Sequence, residues 1–169
     1  MKLDLRHAID TDLTTFWDRM FFEPDFNREV YVAGLQFPEW TLLSDDDRPN
    51  ERLRKIKVVP KQDAPAVIKK LAAGTFSYVE EGRFDKATRR YSMRITPSVL
   101  SDKIKIEGEI LAEPDPQNGK RVYRVTKMTI EVRIFGLGSI VEGFLGKSIE
   151  ESFVNSVPLA NKYIAQHGL

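Results

Sequence analysis

The sequence predicts an α+β fold: a run of antiparallel strands whose apolar face is covered by one long C-terminal helix. Two observations lead there. Residues between Thr75 and Phe135 alternate apolar and polar with the period of two that marks half-buried strands, and only short polar links separate the runs. From Gly138 to Gln166 the period changes to that of an amphipathic helix. The links are too short for parallel crossovers, so the strands form a meander.

In chain order, Leu3, Leu5 and His7 alternate with Lys2, Asp4 and Arg6, which predicts a first strand. Asp10 or Thr11 is placed to cap a helix through Leu13, Phe16, Trp17 and Met20, whose spacings of three and four put them on one face. Pro24 suits the first turn of a second short helix carrying Phe26, Val30 and Tyr31, with Gly34 at its end. Strands are predicted near 40–44 and 51–59, with the acidic segment Ser44 to Asn50 as the turn between them. Ala64 to Ala73, rich in Ala, Lys and Leu and followed by Gly74, predicts a short helix.

Four strands follow: Thr75 to Phe84, Arg89 to Thr96, Lys103 to Ala112 and Arg121 to Phe135. Ile104, Ile106, Gly108 and Ile110 share one face, as do Met128, Ile130, Val132 and Ile134. Leaving such side chains in water forfeits roughly 1.5–3 kcal/mol each, so the sheet needs a cover. The terminal segment supplies it with Val141, Phe144, Leu145, Ile149, Phe153, Leu159, Tyr163 and Ile164. Pro158 inside it lacks an amide donor and predicts a kink about one turn upstream.

The chain has 169 residues, enough for one domain spanning 1–169. With 26 basic and 25 acidic residues the net charge is +1, so no global field gathers nucleic acid, and no nucleic-acid partner is expected. There is no cysteine, which removes disulfides, thiolate catalysis and cysteine-held metal. His7 and His167 form no ligand pair, and Glu80-Glu81 and Glu150-Glu151 point to different sides of their elements, so they read as solvated surface. No metal, cofactor or catalytic residue is expected. The N-terminus has no secretory pattern and no stretch nears the roughly 20 apolar residues of a membrane helix, so a cytoplasmic location is expected.

Two glycine motifs fail on one residue. Gly136-Leu137-Gly138-Ser139-Ile140-Val141 has Val141 where a dinucleotide fingerprint needs its third glycine, and Gly146-Lys147-Ser148 has Val141 where a phosphate loop needs its first. Gly136, Gly138, Gly143 and Gly146 read either as a movable joint at the start of the helix or, for the first two, as a tight turn needing positive φ.

The order of strand, two short helices, antiparallel strands and final long helix resembles the START-like superfamily, also called the helix-grip or SRPBCC fold. Phe16-Trp17-Asp18-Arg19-Met20-Phe21-Phe22 through Phe26, with Trp40 and the strand Arg52 to Ile56, looks like the opening of the sterol-carrying VASt branch. Phe135-Gly136-Leu137-Gly138 leading into the terminal helix is similar to an uncharacterised bacterial START-like family. The resemblance implies a curved sheet wrapped around the helix and a cavity between them for a hydrophobic small molecule or lipid. Sterols, phospholipids, polyketides and plant hormones are the ligand classes of that superfamily.

The candidate ligand-binding residues are Tyr91, Met93, Ile106, Met128, Ile130, Phe144, Ser148, Ser152, Phe153 and Ser156. On the helix, Ser148, Ser152, Ser156 and Ala160 recur every four residues among large neighbours, a stripe that either leaves room for a ligand or allows close packing on the sheet. On the strands, Tyr91, Met93 and Met128 are either pocket wall or plain core. Arg52, Arg54, Lys55, Lys57 and Lys61 are either a patch for transient contact with anionic headgroups or a solvated strand face, the latter being the plainer reading. Three functions fit: a carrier or binding protein for an apolar molecule, an enzyme of the same fold such as a polyketide cyclase or aromatase, and an interaction module with a filled core.

Overall fold

A computed structural model describes residues 1–61, 66, 69–70 and 75–169. Seven antiparallel strands form one sheet in the order β1-β7-β6-β5-β4-β3-β2, where β1 is Lys2–Ile9, β2 Glu39–Asp47, β3 Glu51–Val59, β4 Tyr78–Asp85, β5 Arg90–Pro97, β6 Ile104–Asp115 and β7 Asn118–Val132. Helix α1 (Leu13–Thr15) and helix α2 (Pro24–Arg28) each continue into a π-helical turn, Phe16–Phe21 and Glu29–Gly34. Helix α3 (Gly138–His167) packs on β1, β7 and the turn after α2. This is the helix-grip α+β arrangement.

Register carries the period-two pattern across the sheet. Ile106 pairs with Ile130, Gly108 with Met128, and Leu3 with Met128 on the other side, so one face collects the apolar side chains of every strand. Ile9, Trp17, Met20, Val122 and Ile130 are buried there, and Trp17 packs on Phe84 with ring centroids 4.5 Å apart. The opposite face is wet and salted, with Arg90 on Glu109 at 2.9 Å and Arg94 on Glu107 at 3.2 Å.

Several boundaries differ from the sequence expectation. The cap of α1 is Asp12, whose carboxylate accepts from the amides of Thr14 and Thr15 at 2.9 and 3.0 Å. Asp10 is engaged elsewhere, by Arg121 and Asn161, and Thr11 is buried. Ser44 to Asp47 belong to β2 and not to a turn, because a register shift after Leu42 aims Asp45 at Arg52, which forms two bonds to it at 2.6 and 2.7 Å. The turn is only Arg48 to Asn50. The helix expected over 64–73 lies largely outside the described residues; Ala66, Lys69 and Lys70 within it are helical. Strand β7 ends at Val132, and Phe135 is fully exposed.

Helix α3 runs through Pro158 without a break. The carbonyl left unbonded by Pro158 belongs to Val154, which is exposed, so water can serve it. Gly136 has φ of +71°, so the tight-turn reading holds at that residue.

Candidate functional site

Between the sheet and α3 lies a cavity of about 210 Å³. One face of α3 borders it from Val141 to Ala160, because residues three and four apart stack on the same side of a helix. The predicted serine stripe is on that face. Met93, Ile106, Met128, Phe144, Ser148, Ser152, Phe153 and Ser156 all line the cavity. Tyr91 and Ile130 do not: both are fully buried, packed behind the wall. Two of the three serine hydroxyls are already engaged, since Ser152 donates to the Ser148 carbonyl at 2.8 Å and Ser156 to the Phe153 carbonyl at 2.7 Å.

Polar groups absent from the sequence expectation also reach the interior. Arg54 and Glu80, read from sequence as solvated, face inward on neighbouring strands with their side chains 5% and 12% exposed. Arg54 Nη2 meets Glu80 at 3.2 Å, Nε donates to the Tyr91 hydroxyl at 3.3 Å, and Nη1 donates to the Phe21 carbonyl at 2.7 Å. The Tyr91 hydroxyl in turn donates to Glu80 at 2.7 Å. That hydroxyl reaches them by passing over Gly82, where any Cβ would collide with its ring. Phe21, Phe22 and Tyr91 surround the guanidinium at 4.6, 5.4 and 5.1 Å.

The π-helical turn takes part in this. Its last carbonyl, that of Phe21, accepts from Arg54 and also from the side-chain Nδ2 of Asn27 at 3.0 Å. Burial, then the Glu80 charge, pushes the Tyr91 phenol well above its usual range, so Tyr91 is a donor at neutral pH. Burial also opposes the Arg54 charge, but Tyr91 and Glu80 outweigh it and hold the guanidinium above its usual value.

A second arginine, Arg124 on β7, lines the cavity too and is 9% exposed. Its Nη2 donates to the Phe153 carbonyl at 2.9 Å and to Ser156 Oγ at 3.1 Å, tying the sheet to α3. Burial lowers its pKa to about 10, which leaves it charged at neutral pH. Tyr31, Tyr78, Asn27 and the exposed Lys61 and Lys69 also line the cavity, and burial raises both phenols.

The missed signal was parity. Arg54 alternates in step with Ile56 and Val58, Glu80 with Tyr78 and Phe84, and Arg124 with Val122 and Met128, so each shares the buried face of its strand. The flanking Lys55 and Lys57 point outward and are neutralised by Glu81 at 2.9 Å and Glu39 at 3.1 Å. Among the described residues no cluster of three or more His, Asp or Glu is placed to hold a metal, and no described helix is long and apolar enough to cross a membrane.

A curved antiparallel sheet gripping a terminal helix over an interior cavity is the START-like fold. Solved structures of that fold overlay it along almost the whole chain. The Zhui aromatase/cyclase of Streptomyces sp. R1128 matches with a TM-score of 0.64 and 11% identity, covering 100% of this chain and 96% of that one. A START superfamily protein of Mycobacterium smegmatis matches at 0.57 and 12%, covering 98% and 97%. A protein of Thermus thermophilus matches at 0.58 and 13%, covering 100% of both. No curated protein matches the sequence. Over residues 4–164 the chain matches the family described as "Protein of unknown function (DUF2505)", and it belongs to that family.

Proposed function

We propose that residues 1–169 act as one binding unit for a bulky apolar small molecule, of lipid, sterol or polyketide-like character, held between the sheet and α3. The observation that carries this reading is the cavity of about 210 Å³, walled by methionine, isoleucine and phenylalanine with a few polar groups among them. Protein interiors normally close-pack, and an apolar hollow with sparse, oriented polar groups is the form of a ligand site. Transfer of the ligand between membranes would need a docking face, and the neutralised Lys55 and Lys57 do not favour one there.

The Arg54–Glu80–Tyr91 cluster favours a second reading, an enzyme of the same fold. A carboxylate and a guanidinium on the cavity wall meet a phenol just behind it, the group types that acid–base chemistry on a carbonyl compound requires. The Streptomyces neighbour is an aromatase/cyclase. In this chain, however, the three groups are spent on one another, which suits a rigid wall better than a proton shuttle.

Native mass spectrometry of the purified protein, followed by organic extraction, tests the binding reading: a co-purifying apolar molecule is expected. Ser152→Trp fills the cavity from α3 and should abolish that adduct while shifting Tm by no more than about 3 °C. Absence of any bound molecule in the wild type, together with unfolding of Ser152→Trp, would make the interior a packed core and overturn the reading.

A further inference from the structure

Among the described residues, the cavity is lined by two buried guanidinium groups and one carboxylate, with the exposed Lys61 and Lys69 also on its wall. Arg54 has Glu80 at 3.2 Å as its counter-charge, with Tyr91 and the Phe21 carbonyl completing its hydrogen bonds. Arg124 has none of this. Among the described residues no carboxylate pairs with it, its Nη2 is held by the Phe153 carbonyl and Ser156 Oγ, and Nε is buried with no partner at all. Nη1 likewise donates to no described residue. The ring of Phe153 lies 4.8 Å from its Cζ, so the site is apolar on one side and open to the cavity on another.

The other titratable groups near Arg124 supply no negative charge. Tyr31 is a neutral phenol, held so by burial. His7, opposite Arg124 in the β1–β7 register, is kept neutral first by burial and then by the Arg124 charge. A buried ion without a counter-ion is costly, and the cost is relieved when an anion arrives with the ligand.

We infer that the cavity receives an apolar molecule bearing a single carboxylate, and that Arg124 is the group that binds it; this rests on the ligand-binding reading above. Lys61 and Lys69 are exposed and keep their hydration, so among the described residues Arg124 is the one buried positive charge left unmatched, and it calls for a monoanion. A phosphate monoester carries close to two negative charges at neutral pH and would leave one of them buried without a partner. A neutral sterol or alcohol would leave Arg124 as it stands. The planar guanidinium, with nitrogens still free to donate, suits a carboxylate in geometry as well as in charge.

The test uses chain-matched probes at neutral pH, decanoate, decanol and decyl phosphate, titrated into the intact protein by calorimetry. Wild type should bind decanoate about tenfold or more tightly than decanol, the difference one charge-assisted contact makes, with decyl phosphate weaker than decanoate. Arg124→Met should erase the preference for decanoate while decanol affinity stays within about threefold, and Arg124→Lys should keep part of it. Equal affinity of the wild type for decanoate and decanol would overturn this inference and leave the cavity reading standing. Binding of none of the three probes would overturn both. Loss of decanoate and decanol together in an Arg124→Met protein that keeps the wild-type circular dichroism spectrum would assign Arg124 to holding α3 in place and would also overturn the inference. The wild-type comparison decides the matter even if that variant does not fold.

Discussion

Replacing Glu80 by Gln removes the carboxylate that, among the described residues, pairs with Arg54, while keeping an oxygen to accept from Tyr91. The N···O distance is 3.2 Å and the two side chains are 5% and 12% exposed, so bulk-water screening does not apply. At an effective dielectric of about 20 the attraction is about 5 kcal/mol. Relief of the carboxylate's own desolvation offsets part of that, and the net loss expected at neutral pH is about 3 kcal/mol, in the range found when one partner of a buried pair is removed. For a chain of this size that lowers Tm by roughly 10 °C. Urea unfolding followed by circular dichroism measures it directly. The same substitution in an Arg54→Met background should be neutral or stabilising, because Glu80 is then the buried charge without a partner. If Glu80→Gln costs the same in both backgrounds, the two groups are not coupled and the account of this wall is wrong.

Two further outcomes follow from the same geometry. His7 has a lowered pKa, from burial first and Arg124 second, partly countered by Glu150. Its neutral form is therefore the one the fold prefers, so its contribution is complete at higher pH and is lost as pH falls below the unfolded value of about 6.5, where only the unfolded chain takes up the proton. His7→Gln should flatten the fall in stability between neutral pH and about pH 5, and an unchanged slope in urea unfolding would refute this. Gly82→Ala sets a Cβ against the Tyr91 ring and hydroxyl, and should cost about 1–3 kcal/mol by urea unfolding. A neutral outcome would mean that Tyr91 does not cross above Gly82.

The strand and helix pattern was written in local periodicity, and among the described residues its elements survived folding with their ends shifted by about three residues at most. Helix α3 begins at the predicted Gly138 and ends one residue past Gln166. The inward positions Met93, Ile106 and Met128 and the serine stripe of α3 were likewise legible, since parity on a strand and spacing on a helix decide which face a side chain takes. The same parity pointed to Arg54, Glu80 and Arg124, but charge type suggested solvent for the first two and left the third unremarked. A charged residue belongs inside only if something meets it there, and the partners are remote in sequence: Glu80 and Tyr91 for Arg54, Phe153 and Ser156 for Arg124.

Tertiary structure decided the rest for that reason. The acidic run Ser44 to Asp47 became strand because β3 presents Arg52 across from it, and Tyr91 left the cavity wall because Gly82 opens a path to Arg54. A hollow beneath α3 is the space left over once every neighbour has taken its place. Periodicity names the side chains that face that space, and only the distance between sheet and helix says whether they fill it.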